Sequence, residues 1–167
     1  DWFKEIFGFP SGASGLLTTG TSMATVIALA IARDAKTDWD VRRRGIASGD
    51  CQLTCYASRE VHSSAIKALE LLGIGADAMR LVPVDDAYGI SVSALRQAIE
   101  TDRAAGFRPF CVIGTAGTVN TGAMDDLAGL SDVCNDFDLW LHVDGAFGAL
   151  TALAPDLRGR IAGIERA

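Results

Sequence analysis

Leu141-His142-Val143-Asp144-Gly145-Ala146-Phe147-Gly148-Ala149, the stretch LHVDGAFGA, begins as an apolar strand and halts on a carboxylate followed by small residues. A strand end aimed at solvent holds an acid at little cost, whereas a buried one keeps its charge only with a cation in reach. Residues two apart on a strand share a side, so His142 and Asp144 face the same way. What the rest of the chain brings to that end of the strand decides between the two readings.

Upstream, PFCVIGTAG reads as an apolar strand ending in a turn, QLTCYAS and AMRLVPV as two more strands, and LLTTG as a short extended piece. Helical patterns stand between them. One runs from about Ser22 to Ala35 with Thr21 or Ser22 as its cap, and HSSAIKALELLG is closed by Gly73. SVSALRQAIETDRAAG opens at Ser91 or Ser93, DDLAGLSDVCNDF at Asp125, and DWFKEIFGFP reads as the end of an amphipathic helix. Strands alternating with helices predict an α/β fold of three layers, α/β/α, around a mainly parallel sheet joined by right-handed crossovers.

Composition bounds the function. A chain of 167 residues with 49% hydrophobic content buries one core and is too apolar to be disordered. Its formal charge of −6 argues against a nucleic-acid partner. Arg42-Arg43-Arg44, the one basic run, has no interleaved aromatic residue and reads as a solvated loop. MATVIALAIA is broken by Arg33 and Asp34, too early to span a bilayer. Cys51 and Cys55 lie in a strand pattern that holds their α carbons about 13 Å apart, beyond disulfide reach. Reduced, buried thiols at Cys51, Cys55, Cys111 and Cys134 suit a cytoplasmic protein. The opening residues look like neither a signal sequence nor an initiator region, so the chain reads as starting inside a larger protein.

In open parallel sheets ligands lie beyond the carboxyl ends of the strands. Those positions read Thr19 to Ser22, Ser58 to His62, Thr115 to Thr118, and Asp144 to Ala146. GLLTTGTS has the glycine spacing of a P-loop, but Thr21 stands where the phosphate-binding lysine belongs. GIGADA follows a helix instead of a strand, so its glycines serve as a helix stop. What remains at Gly20-Thr21-Ser22 is a helix N-terminus with free N–H groups and two hydroxyls, able to bind one phosphate monoester or simply to cap. His62 is either a helix-start residue or a flat ring for stacking. A phosphate site, an imidazole and an acid on one crevice match the needs of pyridoxal phosphate, whose pyridine nitrogen must stay protonated to draw electrons.

TTGTSMAT, YASREVHSSAIKALELLG, TAGTVNTGAMDDL and LHVDGAFGA, in that order and spacing, resemble the group II pyridoxal-phosphate-dependent amino acid decarboxylases, which include the aromatic-L-amino-acid and glutamate decarboxylases. The likeness runs from DWFKEIFGFP to GIERA. It implies the large domain of the aspartate-aminotransferase type (fold type I), with a seven-stranded, mainly parallel sheet, in an enzyme that is a homodimer. By resemblance Thr21 and Ser22 hold the cofactor phosphate, and His62 stacks on the ring and assists catalysis. Asp144 pairs with the pyridinium nitrogen, Ala146 lies under the opposite ring face, and Thr118 sits in the family's Gly-Thr turn. Small residues after Asp144 would leave the ring room. Val119 departs from the pattern, since many relatives have a second cofactor-contacting threonine there. The resemblance implies that the Schiff-base lysine follows a short way beyond Ala167, and Lys4, Lys36 and Lys67 lie in no matching motif.

The expectation is therefore that residues 1–167 form part of a pyridoxal-phosphate-binding large domain, without the lysine segment or the small C-terminal domain, and are inactive alone. The parent would decarboxylate an L-amino acid to the amine and carbon dioxide, an aromatic one by preference, with glutamate and other acidic or basic amino acids as alternatives. A cysteine desulfurase or another lyase of this fold is the competing enzyme, although GAFGA lacks the glutamine a desulfurase places after the acid. A non-catalytic α/β binding module is the alternative of a different class.

Overall fold

Four apolar segments pair as one parallel sheet in the computed structural model, which describes residues 2–167. They are β1 (Leu53–Ser58), β2 (Met79–Val82), β3 (Arg108–Thr115) and β4 (Trp140–Asp144), in the order β2-β1-β3-β4. Every pairing is parallel, so a crossover returns the chain to the same end of the sheet before each new strand. The helices are α1 (Trp2–Phe7), α2 (Thr21–Lys36), α3 (Val41–Arg44), α4 (Ser64–Leu71), α5 (Val92–Ala104) and α6 (Leu127–Asp136).

β1 is buried along its whole length and β3 along all but its first residue, as strands covered on both faces must be. Two cores result. Leu29, Ala32, Ala65 and Leu69 from α2 and α4 pack on Cys55, Ala57 and Ile113 on one face. Leu95, Ile99, Leu127 and Leu130 from α5 and α6 pack on Tyr56, Val112 and Leu141 on the other. The predicted α/β/α layering is what forms. One irregularity lies in β3: Thr54 pairs with Pro109 and Cys55 with Cys111, so Phe110 is an extra residue, a bulge that turns Phe110 and Cys111 to the same core.

A buried polar network ties the lower half of the sheet. Tyr56 donates to Asp102 at 2.7 Å, and Arg80 Nε donates to the same carboxylate at 2.9 Å while its guanidinium lies over the Phe107 ring. Burial, against the opposing bond to Thr54 and with the bond to Asp102, pushes the Tyr56 hydroxyl well above its ordinary pKa, which suits its role as a donor.

Several local expectations are corrected. LLTTG forms no strand. α2 begins at Thr21 with Gly20 as its N-cap and no side-chain cap, so neither Thr21 nor Ser22 caps it; both lie in its first turn. Asp126, not Asp125, caps α6 by accepting from Gly129 N–H at 3.0 Å. Arg42 to Arg44 are exposed as predicted but helical, because Asp40 accepts the Arg43 N–H and starts a single turn. Ser91 does cap α5, and Gly73 follows α4 with φ 71°. Of the seven strands implied for a complete domain, the described residues supply four.

Candidate functional site

The carboxyl ends of β1, β3 and β4 meet the N-terminal ends of α2 and α4 around a cavity of about 220 Å³. Thr21, Ser22, His62, Thr118, Asp144 and Ala146 all line it. Residues from four separate stretches are thus brought to one place by the parallel topology, which delivers every strand end to the same side of the sheet.

Thr21 and Ser22 contribute the start of a 16-residue helix. The first backbone bond there is Ala24 N–H to Gly20 C=O, which leaves the preceding N–H groups of the first turn open. Those groups carry the positive end of the helix dipole, and both side chains are exposed beside them. The side chains that line the cavity include no lysine or arginine, so the helix end is its source of positive potential.

His62 follows β1 and is exposed toward the cavity. Its Nδ1 accepts the Ser64 N–H at 3.2 Å and lies 2.8 Å from Ser64 Oγ. The ring is therefore oriented by the start of α4.

Asp144 is half-buried, between the two readings of the strand end. One carboxylate oxygen accepts the Ala146 N–H at 3.1 Å, a bond that begins the turn out of β4. His142 lies on the same side of the strand with Nε2 shielded from solvent and without a partner. Burial lowers the His142 pKa, against the opposing pull of Asp144, so the charged form of its ring is disfavoured.

Thr118 is buried, and its hydroxyl is engaged within its own turn, 2.6 Å from Thr121 Oγ1 and accepting from Ala123 N–H. The 116–118 turn touches the loop after β4. A Cβ on Gly148 would stand 2.5 Å from the Ala116 carbonyl oxygen, and one on Gly145 would stand 2.5 Å from Ala149 Cβ. The small residues after Asp144 thus divide into two groups. Gly145 and Gly148 are small because the chain packs on itself, and only Ala146 of the small residues faces the cavity. The cavity also takes Glu60 and Thr115, which the strand-end positions include without a role, and Ser64 and Phe147, which they do not include. Thr115 had a signal, since it ends an apolar strand as Asp144 does.

A wider cleft of about 960 Å³ lies at the opposite pole, where β1, β2 and β3 begin. Its one basic lining residue, Arg80, is already paired with Asp102, and it lies away from the strand ends where ligands collect in such sheets. Among the described residues there is no metal-ligating cluster and no helix long and apolar enough to cross a membrane.

The pyridoxal-dependent decarboxylase conserved domain matches residues 1–167. An aromatic-L-amino-acid decarboxylase of Bacillus atrophaeus is 41% identical across 100% of this chain and 33% of its own length. A histidine decarboxylase of Mus musculus is 35% identical over 100% of the chain and 27% of its own. Among solved structures, mouse CSAD in apo form superposes with a TM-score of 0.95 at 33% identity, over 99% of this chain and 34% of that one. Catharanthus roseus tryptophan decarboxylase in complex with L-tryptophan gives 0.84 at 32%, over 99% and 36%. The chain spans about a third of the length of the curated relatives it matches.

Proposed function

The chain belongs to the pyridoxal-dependent decarboxylase family, and from that premise we propose that it forms part of the cofactor-binding large domain of an enzyme that decarboxylates an L-amino acid. The observation that carries this reading is the convergence of Thr21, Ser22, His62, Thr118, Asp144 and Ala146 on one cavity. An aromatic substrate is the preferred member of the class, supported by relatives named aromatic-L-amino-acid and tryptophan decarboxylases.

The residues present fit pyridoxal phosphate. The open N–H groups of α2 suit a phosphate dianion, and Asp144 and the partnerless Thr115 hydroxyl offer polar contacts to a heterocycle. When bound, the cofactor supplies an electron sink for the pair left on the α carbon as carbon dioxide departs. The chain's own work is then divided. Thr21 and Ser22 hold the phosphate, and Asp144 keeps a proton on the pyridine nitrogen by pairing its charge with it. Ala146 leaves room on one ring face, and His62 covers the other. Thr118 acts by holding the 118–123 turn against the site.

None of Lys4, Lys36 and Lys67 lines the cavity, which supports the reading that a lysine elsewhere in the full-length enzyme would anchor the cofactor covalently. A second subunit is also part of the proposal. Leu150, Leu153 and Leu157 are large, apolar and exposed in the segment after the site, surface available for burial in a homodimer. Four free cysteines, three of them buried, support a reducing, cytoplasmic setting.

The test is release of carbon dioxide from L-amino acids by the full-length protein with and without pyridoxal phosphate, beside Asp144→Ala. Cofactor-dependent release that falls on the order of a thousandfold in Asp144→Ala is expected. Release that needs no cofactor, or a variant with near-normal turnover, would sink the reading.

A further inference from the structure

Thr115 ends β3 directly opposite Asp144 in the β3–β4 register. Parallel strands lie about 4.8 Å apart, so paired residues project neighbouring side chains from the same face. Thr115 is 6% exposed and lines the same cavity as Asp144, yet its Oγ1 has no hydrogen-bond partner. The residue cannot withdraw, because Asp125 holds both its N–H and its C=O.

A buried hydroxyl without a partner is costly, and few native structures keep one unless something arrives to meet it. Asp144 has the complementary lack. One of its oxygens takes the Ala146 N–H, and the other receives no hydrogen bond among the described residues. A carboxylate tied at one oxygen turns about χ2, and an acid meant to pair with a ring nitrogen must be fixed in plane by a second donor.

We propose that Thr115 is a positioning residue of this site: its hydroxyl donates to the free carboxylate oxygen of Asp144 once the cofactor is bound, fixing the plane in which Asp144 meets the ring nitrogen. The inference rests on the functional reading above and gives the Thr115 hydroxyl, counted there only as a polar contact, a specific partner and task.

The experiment uses the full-length protein, Thr115→Val, and the pair Thr115→Ser and Thr115→Ala. Apo thermal midpoints and pyridoxal phosphate titrations, followed by visible absorption across pH, are compared. Thr115→Val removes a partnerless hydroxyl and keeps the shape, so its apo midpoint is unchanged or higher. Its cofactor affinity falls about tenfold, the loss of one hydrogen bond to a charged group. The pH at which the bound cofactor's spectrum changes moves down, because a loosely held acid retains the ring proton less well. Thr115→Ser restores affinity and spectrum and Thr115→Ala does not, a contrast that holds even if the valine variant folds poorly. A parent that binds the cofactor while its Val and Ala variants bind it equally well, with unshifted spectra, overturns the inference alone. A parent that binds no pyridoxal phosphate overturns the functional reading and this inference with it.

Discussion

Asp125 grips Thr115 by both of its backbone groups: the Asp125 carboxylate accepts the Thr115 N–H at 2.7 Å, and the Asp125 N–H donates to the Thr115 carbonyl at 3.0 Å. The other carboxylate oxygen accepts the Ile90 N–H at 2.7 Å. One acid, 3% exposed, thereby ties the end of β3 to the loop that precedes α5. Burial raises its pKa, and the two N–H bonds oppose that rise by favouring the charge.

Asp125→Asn replaces one accepting oxygen by an NH₂ group that faces an N–H, so one bond is lost and two donors collide. The expected cost is about 2 kcal/mol, read as a lower urea midpoint, with Asp125→Ala at least as severe. An unchanged midpoint in both variants would show that the grip adds nothing to stability.

Gly148→Ala tests the close approach of the two strand-end loops. The added Cβ meets the Ala116 carbonyl oxygen at 2.5 Å, and backbone cannot step aside as a flexible side chain can. A loss of about 1–3 kcal/mol is expected, together with weaker cofactor binding as the Asp144 loop is pushed off the 116–118 turn. Gly159→Ala, which meets nothing within 4 Å, is the control and should leave stability unchanged or slightly higher. Equal behaviour of the two variants would contradict the packing argument.

His142 makes stability depend on pH. Its folded pKa lies below the ordinary 6.5 because burial disfavours the charged ring. Below pH 6.5 the unfolded chain therefore binds the proton more readily than the native one. Stability is lost as pH falls from about 6.5 towards the folded pKa, and the loss stops growing beneath it. Urea midpoints at about pH 7.5 and about pH 5.5 should differ, and His142→Gln should narrow the difference. A slope that survives the substitution would assign it to another group.

The sheet was legible because β1 and β3 are apolar almost throughout, which only a strand covered on both faces sustains. The site was legible because parallel topology sends every strand end to one side, so Thr118 and Asp144 converge wherever their strands fall in the order. Backbone packing was less legible. Whether Asp125 or Asp126 caps α6 turns on which carboxylate the β3 end claims, a contact ten residues apart in sequence for Thr115 and 35 for Ile90. The bulge at Phe110 leaves no mark in a run already apolar at each position. Gly145 and Gly148 look alike from the sequence as room for a ring, yet their neighbours are Ala149 and the Ala116 carbonyl. Thr115 stands among the strand-end positions, but a threonine closing a strand carries no role in the sequence until its hydroxyl is found without a partner.

His62 carries the last prediction, and its own hydrogen bonds frame it. A backbone N–H only donates, so the Ser64 N–H makes His62 Nδ1 an acceptor and leaves the proton of the neutral ring on Nε2. Ser64, buried at the first turn of α4, thus aims an exposed imidazole with its donor edge away from the helix. If the ring stacks on the cofactor and serves the protonation step, His62→Ala in the full-length protein shifts the cofactor's visible absorption. It also slows carbon dioxide release on the order of a hundredfold with little change in unfolding midpoint. His62→Phe separates the two roles: a flat face without Nε2–H should return the absorption toward that of the parent and leave the rate low. Ser64→Ala removes one hold on the ring and should give an intermediate rate with the parent's spectrum broadened. A residue that merely starts a helix predicts the reverse, a loss of about 1 kcal/mol in stability with spectrum and rate intact. Measuring all three variants for absorption, rate and midpoint therefore decides between a stacking, proton-handling histidine and a helix-start residue.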